Sequence, residues 1–134
     1  MTYDEKLRWL SRYREAEKLY QRLSYRLAEA QEATRHITQN LSAAPSGSKD
    51  GQNLDRAVEH EEEAEHRAYA QLAVCDALFA EIDAVLLQLD TKAYCALRKY
   101  YLDRLTWEQV ACDMEISTRR VYALRQAAVE QLDL

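Results

Sequence analysis

The chain has 134 residues, with 18 Lys or Arg against 23 Asp or Glu and a formal net charge of −5. That length suits one domain, or a small globular unit attached to an extended coiled coil, and the acidic balance argues against a protein that coats nucleic acid without regard to sequence. Two glycines and one proline among abundant Ala, Leu, Glu, Gln and Arg predict an all-α chain with almost no β-structure.

The opening "MTYDEKLRWL" is charged at once and has no apolar core of a signal peptide, and the longest apolar run, "AVLL" at 84–87, is too short to span a bilayer. A soluble, cytoplasmic protein is expected. From Tyr13 an apolar series recurs at alternating spacings of three and four: Tyr13, Ala16, Tyr20, Leu23, Leu27, Ala30, Thr34, Ile37, Leu41. This heptad-like stripe, widened by Leu7, Leu10 and Leu19, predicts one long helix from about Asp4 to Leu41, about 55 Å in length at 1.5 Å per residue.

"SAAPSGSKDGQN", Ser42 to Asn53, gathers the proline and both glycines and predicts a loop. A second stripe follows: Leu54, Val58, Glu61, Glu65, Ala68, Leu72, Cys75, Phe79, Ile82, Leu86, Leu89. Its first half is weak, because two of its positions are glutamates. Two such helices joined by a flexible turn predict a long antiparallel hairpin over residues 1–89. Both stripes are wider than one seam, so the hairpin is expected to make a homo-oligomer and also to pack on the C-terminal unit.

After Leu89 the heptads give way to short helices. "DTKAYCALRKYYLDRL" opens with Asp90 or Thr91 as N-cap and places Tyr94, Leu97, Tyr101 and Leu102 on one side. In "TWEQVACDM", Thr106 and Gln109 form a capping box. "EIS" then breaks the chain, and Ser117 caps a last helix running to about Leu132. Cys75, Cys95 and Cys112, at spacings of 20 and 17, match neither a zinc ribbon nor a disulfide framework and are expected as small core residues.

Residues 90–134 have the pattern of a helix-turn-helix, with a short first helix, a tight turn that buries one apolar residue, and a second helix with an exposed face. Val110, Ala111 and Met114 face inward from the first helix and Ile116 plugs the turn. Val121, Leu124, Ala128 and Leu132 face inward from the second. Thr118, Arg119, Tyr122, Ala123, Arg125 and Gln126 point outward, with Arg120 at the margin. Arginine can read guanine edges, glutamine can read adenine, and threonine can touch a thymine methyl or a phosphate. The helix N-terminus at Ser117 suits a phosphate, and Lys99 and Arg104 are expected as clamps on the DNA backbone. The charge is unevenly spread: residues 42–89 hold 3 Lys or Arg and 10 Asp or Glu, whereas 90–134 hold 7 of each.

"LTWEQVACDMEISTRRVYALRQAAVEQL" resembles the fourth conserved region of bacterial RNA polymerase sigma factors, which reads an upstream promoter element. The match runs from Thr106 to Leu132. Val110 and Ala111 stand for its Ile-Ala pair, Met114 for its Leu, Ile116 and Ser117 for its turn, Val121 for its fixed apolar residue, and 128–132 for the closing "AL..L". Nearly the full chain is also similar to small sigma-like proteins encoded in prophages of Gram-positive bacteria. Their members begin with "YLRxY"-like residues, as at 9–13, carry a Pro/Ser loop, and end in "TWEQIAxxMxxSxRxVYRLHxxAL". Glu115 departs from the usual glycine of the turn, so the turn must hold a non-glycine residue in the left-handed region at modest cost. Ala123 and Arg125 stand where the prophage proteins tend to have Arg and His. Nothing resembles the sigma segments that grip the polymerase and melt DNA, so the chain is not a complete sigma factor.

The resemblance implies a phage or prophage transcriptional regulator in a host bacterial cytoplasm, with double-stranded DNA as partner and RNA polymerase as a further one. Two alternatives stay open: a small terminase-type subunit that recognises phage DNA for packaging, and a module that docks on polymerase or a sigma factor without touching DNA. The acidic run "EHEEEAEH" (59–66) reads as a solvated face that repels DNA rather than as a metal site, although His60, Glu63 and His66 share one broad helical face with Glu32 and His36 nearby. No phosphate loop, catalytic triad or paired acids in a cleft is present. Neither an enzyme nor a cofactor is expected.

Overall fold

A computed structural model describes residues 1–43 and 48–134. Among the described residues every regular element is an α-helix: α1 (Tyr3–Leu10), α2 (Arg12–Ala43), α3 (Ser48–Leu86), α4 (Thr91–Tyr101), α5 (Trp107–Asp113) and α6 (Thr118–Gln131). No described helix is long and apolar enough to cross a membrane.

The helix starts follow local chemistry. Thr2 and Glu5 close a capping box on α1, Asp90 accepts from the Ala93 amide at 2.8 Å to cap α4, and Thr106 and Gln109 close a second box on α5. The long helix expected from Asp4 to Leu41 is instead bent, with α1 ending at Leu10 and α2 beginning at Arg12. Ser11 marks the bend: its hydroxyl donates to the Leu7 carbonyl at 2.8 Å while its amide bonds the same carbonyl at 3.0 Å. A serine that bonds back to residue i−4 in this way bends a helix.

Most of the segment Ser42 to Asn53, expected as a loop, is helical. Ser42 and Ala43 still belong to α2, α3 already begins at Ser48, and residues 44–47 lie outside the described residues. Gly51 is helical with open space around it. One interior glycine costs a helix about 1 kcal/mol, which a helix of 39 residues absorbs.

The chain divides into two compact units, one made of 1–16 and 75–134 and the other of 17–74. The boundary expected between Leu89 and Asp90 does not coincide with them. The reason lies in the core of the first unit, where Leu10 of α1 and Ile82 and Leu86 of α3 are fully buried in one cluster with Leu97, Tyr101, Val110, Val121 and Val129. Helices α4 to α6 alone would leave that apolar face in water.

Polar ties fasten the same elements. The Lys6 ammonium donates to the carbonyls of Leu132 (2.8 Å), Glu130 (3.3 Å) and Val129 (3.4 Å), capping the C-terminus of α6. Arg14 donates to the Tyr100 carbonyl, Arg12 pairs with Glu81 at 3.0 Å, and Tyr13 meets Phe79 edge-on at 5.5 Å. The Tyr94 hydroxyl donates to Asp83 at 2.6 Å and accepts from Arg98, binding α4 to the end of α3. Lys6→Ala leaves orphan carbonyls at the negative end of the α6 dipole and is expected to cost about 1–2 kcal/mol. A thermal melt should show the midpoint falling by several degrees, and no change would refute the capping role.

Tyr101 is buried, and desolvation pushes its hydroxyl well above the ordinary tyrosine range. The folded state therefore favours the neutral phenol. This stability is fully present below the unfolded tyrosine pKa of about 10 and is lost as pH rises beyond it. Lys99, raised by its bond to Asp113, acts with the same sign. Melts between pH 8 and 11 should show a steady loss above pH 10 that Tyr101→Phe reduces.

In the second unit the buried apolar residues among those described are Ala30, Ala64 and Ala68 alone. The first half of the α3 stripe departs from the expected one, since Val58 and Glu65 are exposed and Ala64 is buried, whereas Ala68, Cys75, Ile82 and Leu86 are buried as expected. Charge decides this, since an unpaired carboxylate at a seam loses its hydration while an alanine one residue away lets the helices approach. The expectation of three core cysteines holds for Cys75 alone. Cys95 is half-buried and Cys112 is exposed, and none of the three is in a disulfide.

Candidate nucleic-acid interface

Helix α5 ends in a tight reversal. The Glu115 amide bonds the Cys112 carbonyl at 3.2 Å and the Ile116 amide bonds the Ala111 carbonyl at 3.0 Å. This is the Schellman pattern, which needs a left-handed residue between the two amides, and Glu115 supplies it at φ 57°. Ile116 and Met114 pack on the core cluster, and Ser117 then caps α6 by accepting from the Arg120 amide at 3.2 Å. A Cβ in the left-handed region strains the turn by about 1 kcal/mol. Glu115→Gly is therefore expected to raise the melting midpoint by a few degrees, and a lower midpoint would show that the side chain has a compensating role.

The buried side of α6 holds Val121, Ala128, Val129 and Leu132 at its end. Val129, which sequence spacing missed, is fully buried. Arg119, Arg120, Tyr122, Ala123, Gln126 and Ala127 are exposed, and Thr118 is half-buried. Ala123 and Ala127 keep the middle of that face low, so that a ligand can approach the helix backbone. Gln126 donates to Glu130 at 3.4 Å, which places an acid at the far end of the face. The α6 first turn carries no acidic residue, and its free amides add to the positive end of the helix dipole.

Two of the expected contact residues are placed differently. Arg125 was expected to point outward but is half-buried, because it follows Val121 by four residues and shares its side. Its guanidinium lies 5.4 Å from both the Trp107 and Tyr122 ring centres, and its Nε is buried without a hydrogen-bond partner. Lys99 is held by Asp113 at 2.5 Å, its ammonium charge reinforced by that carboxylate, so it links α4 to α5 instead of standing ready as a clamp. Arg104 is exposed but sits in the turn before α5 at φ 62°, a second left-handed residue.

Sequence reasoning also missed how the aromatic residues assemble. Trp107 stacks on Tyr100 at 4.0 Å and 8°, meets Tyr101 edge-on at 6.0 Å, and leans on Tyr122 at 6.2 Å. Arg14 caps the outer side of Tyr100 at 4.1 Å. The column Arg14, Tyr100, Trp107, Arg125 thus sets two stacked rings between two cations, an attractive arrangement. The signal was present in two adjacent tyrosines shortly before the tryptophan that opens α5.

Among the described residues no group of three or more His, Cys, Asp or Glu is arranged to hold a metal ion. Within the acidic run Glu63 pairs with Arg67 at 2.7 Å, and Glu32 pairs with Arg35 at 2.5 Å. No family model matches this chain, and no curated protein and no solved structure matches it either.

Proposed function

We propose that this chain is a sequence-specific double-stranded DNA-binding protein that serves phage or prophage transcriptional control. In this reading α5, the Glu115 turn and α6 form a helix-turn-helix like that of sigma region 4, with α6 in the major groove. The observation that carries it is the pairing of a Schellman turn with a Ser117-capped helix whose solvent face offers Arg119, Arg120 and Gln126 around two alanines. Arg119 and Arg120 make the leading base contacts, Thr118 and the α6 amides seat a phosphate, and Tyr122, 40% exposed, borders the groove. Arg125 and Lys99 act through the positions of Tyr122, Trp107 and α5.

A unit with so few free cations binds weakly alone at physiological salt. Self-association through residues 17–74, as an antiparallel helical hairpin, couples two or more readers and raises their effective concentration. Its support is the thin alanine seam of that unit beside exposed Leu19, Tyr25 and Val74. Light scattering at micromolar concentration should give a multiple of the chain mass; a strict monomer contradicts this part. Fluorescence anisotropy on labelled random duplexes tests the DNA reading itself, with salt-sensitive binding expected and none at 50 mM salt opposing it.

A further inference from the structure

Helices usually place acids in their first turn, where the dipole is positive, and α1 and α5 do so with Asp4, Glu5 and Glu108. The first turns of α4 and α6 hold no acid and instead present Lys92 and Arg120. These two cations border one shallow groove whose floor is Ile116, Ala123 and Leu124. Neither cation is engaged in an ion pair among the described residues. An electropositive rim calls for an anionic occupant, but a phosphate gains nothing from an aliphatic floor. A helix that sets an apolar side chain among carboxylates gains from both.

The chain carries such a helix face. Glu62, Glu65, His66 and Tyr69 line one stretch of α3 at helical spacings of three and four, with Val58 one turn before. Tyr69 is 62% exposed, and Glu62 and Glu65 are exposed and engaged in no ion pair among the described residues. We infer that the Lys92/Arg120 groove of one copy takes the Glu62–Glu65–Tyr69 face of a second copy, Tyr69 over Ile116 and Leu124, and the two glutamates beside the cations. The contact is heterologous, joining two different surfaces. Because Arg120 serves both this contact and the proposed DNA face, docking in trans competes with DNA, a consequence that rests on the DNA-binding reading.

The test places photoreactive benzoylphenylalanine at Tyr69 of the full chain, without DNA. Equal parts of isotopically light and heavy protein are irradiated, and the products are mapped by mass spectrometry. Mixed light–heavy crosslinks from position 69 to 116–124 are expected. With Glu62→Lys and Glu65→Lys in the photoreactive chain their yield should fall about tenfold, and a partner bearing Lys92→Glu and Arg120→Glu should restore it. Crosslinks confined to single chains, crosslinks only to residues 17–74, or charge reversal without effect would each overturn the inference. A chain that gives the mixed crosslinks yet binds no duplex defeats the DNA reading and leaves this contact standing.

Discussion

Replacing Arg119 and Arg120 together with alanine is expected to abolish specific retention of a duplex in a gel shift, with the thermal midpoint almost unchanged. Both side chains are exposed on α6 and engaged in no ion pair among the described residues, so their removal leaves no buried group without a partner. Surface substitutions of that kind stay within about 0.5 kcal/mol of stability. For DNA the loss is large, since a bidentate arginine contact is worth about 1–3 kcal/mol of base discrimination. Two such contacts therefore correspond to a specificity loss of about a hundredfold or more. The slope of log affinity against log salt should also shrink by about two if both contact phosphates as well. Unchanged retention would mean that α6 does not lie in the groove.

A chain lacking residues 1–16 is expected to lose the fold of the C-terminal unit. The truncation removes Leu10, which is fully buried, together with the Lys6 cap on α6 and the Arg14 tie to the α4–α5 turn. Losing a buried leucine costs about 2–5 kcal/mol, the Lys6 cap adds about 1–2 kcal/mol, and the Arg14 bond adds about 1.5–3 kcal/mol. The total, about 5–10 kcal/mol, is comparable with the roughly 5–15 kcal/mol that holds a typical domain together. Circular dichroism should show a broad, early melt, and Trp107 fluorescence should shift to the red as its stack on Tyr100 opens. A sharp transition at the midpoint of the full chain would show that residues 75–134 fold without help from residues 1–16.

The elements at the C-terminal end were legible because each carries a local chemical marker. Thr106 with Gln109, Asp90 and Ser117 all cap helices where their types and spacings place them, and Glu115 adopts the left-handed conformation that its place between Met114 and Ile116 demands. Long-range relations were less legible. Nothing local to Leu10 or Lys6 announces that they pack on and cap α6, because that pairing joins residues more than a hundred positions apart. The phase of the first half of the α3 stripe was ambiguous for a different reason. Val58 and Glu65 fit a heptad as well as Ala57 and Ala64 do, and only the desolvation of a carboxylate separates the two registers. Arg125 was misplaced because its charge suggested solvent, whereas its spacing from Val121 and the flat faces of Trp107 and Tyr122 give a guanidinium a favourable inner seat.

The decisive measurement is selection of bound sites from a pool of random duplex DNA, with the full chain and with its Arg119→Ala, Arg120→Ala variant run in parallel. One short motif is expected to be enriched by the full chain and lost by the variant. Enrichment of no motif, or of the same motif by both proteins, would contradict it.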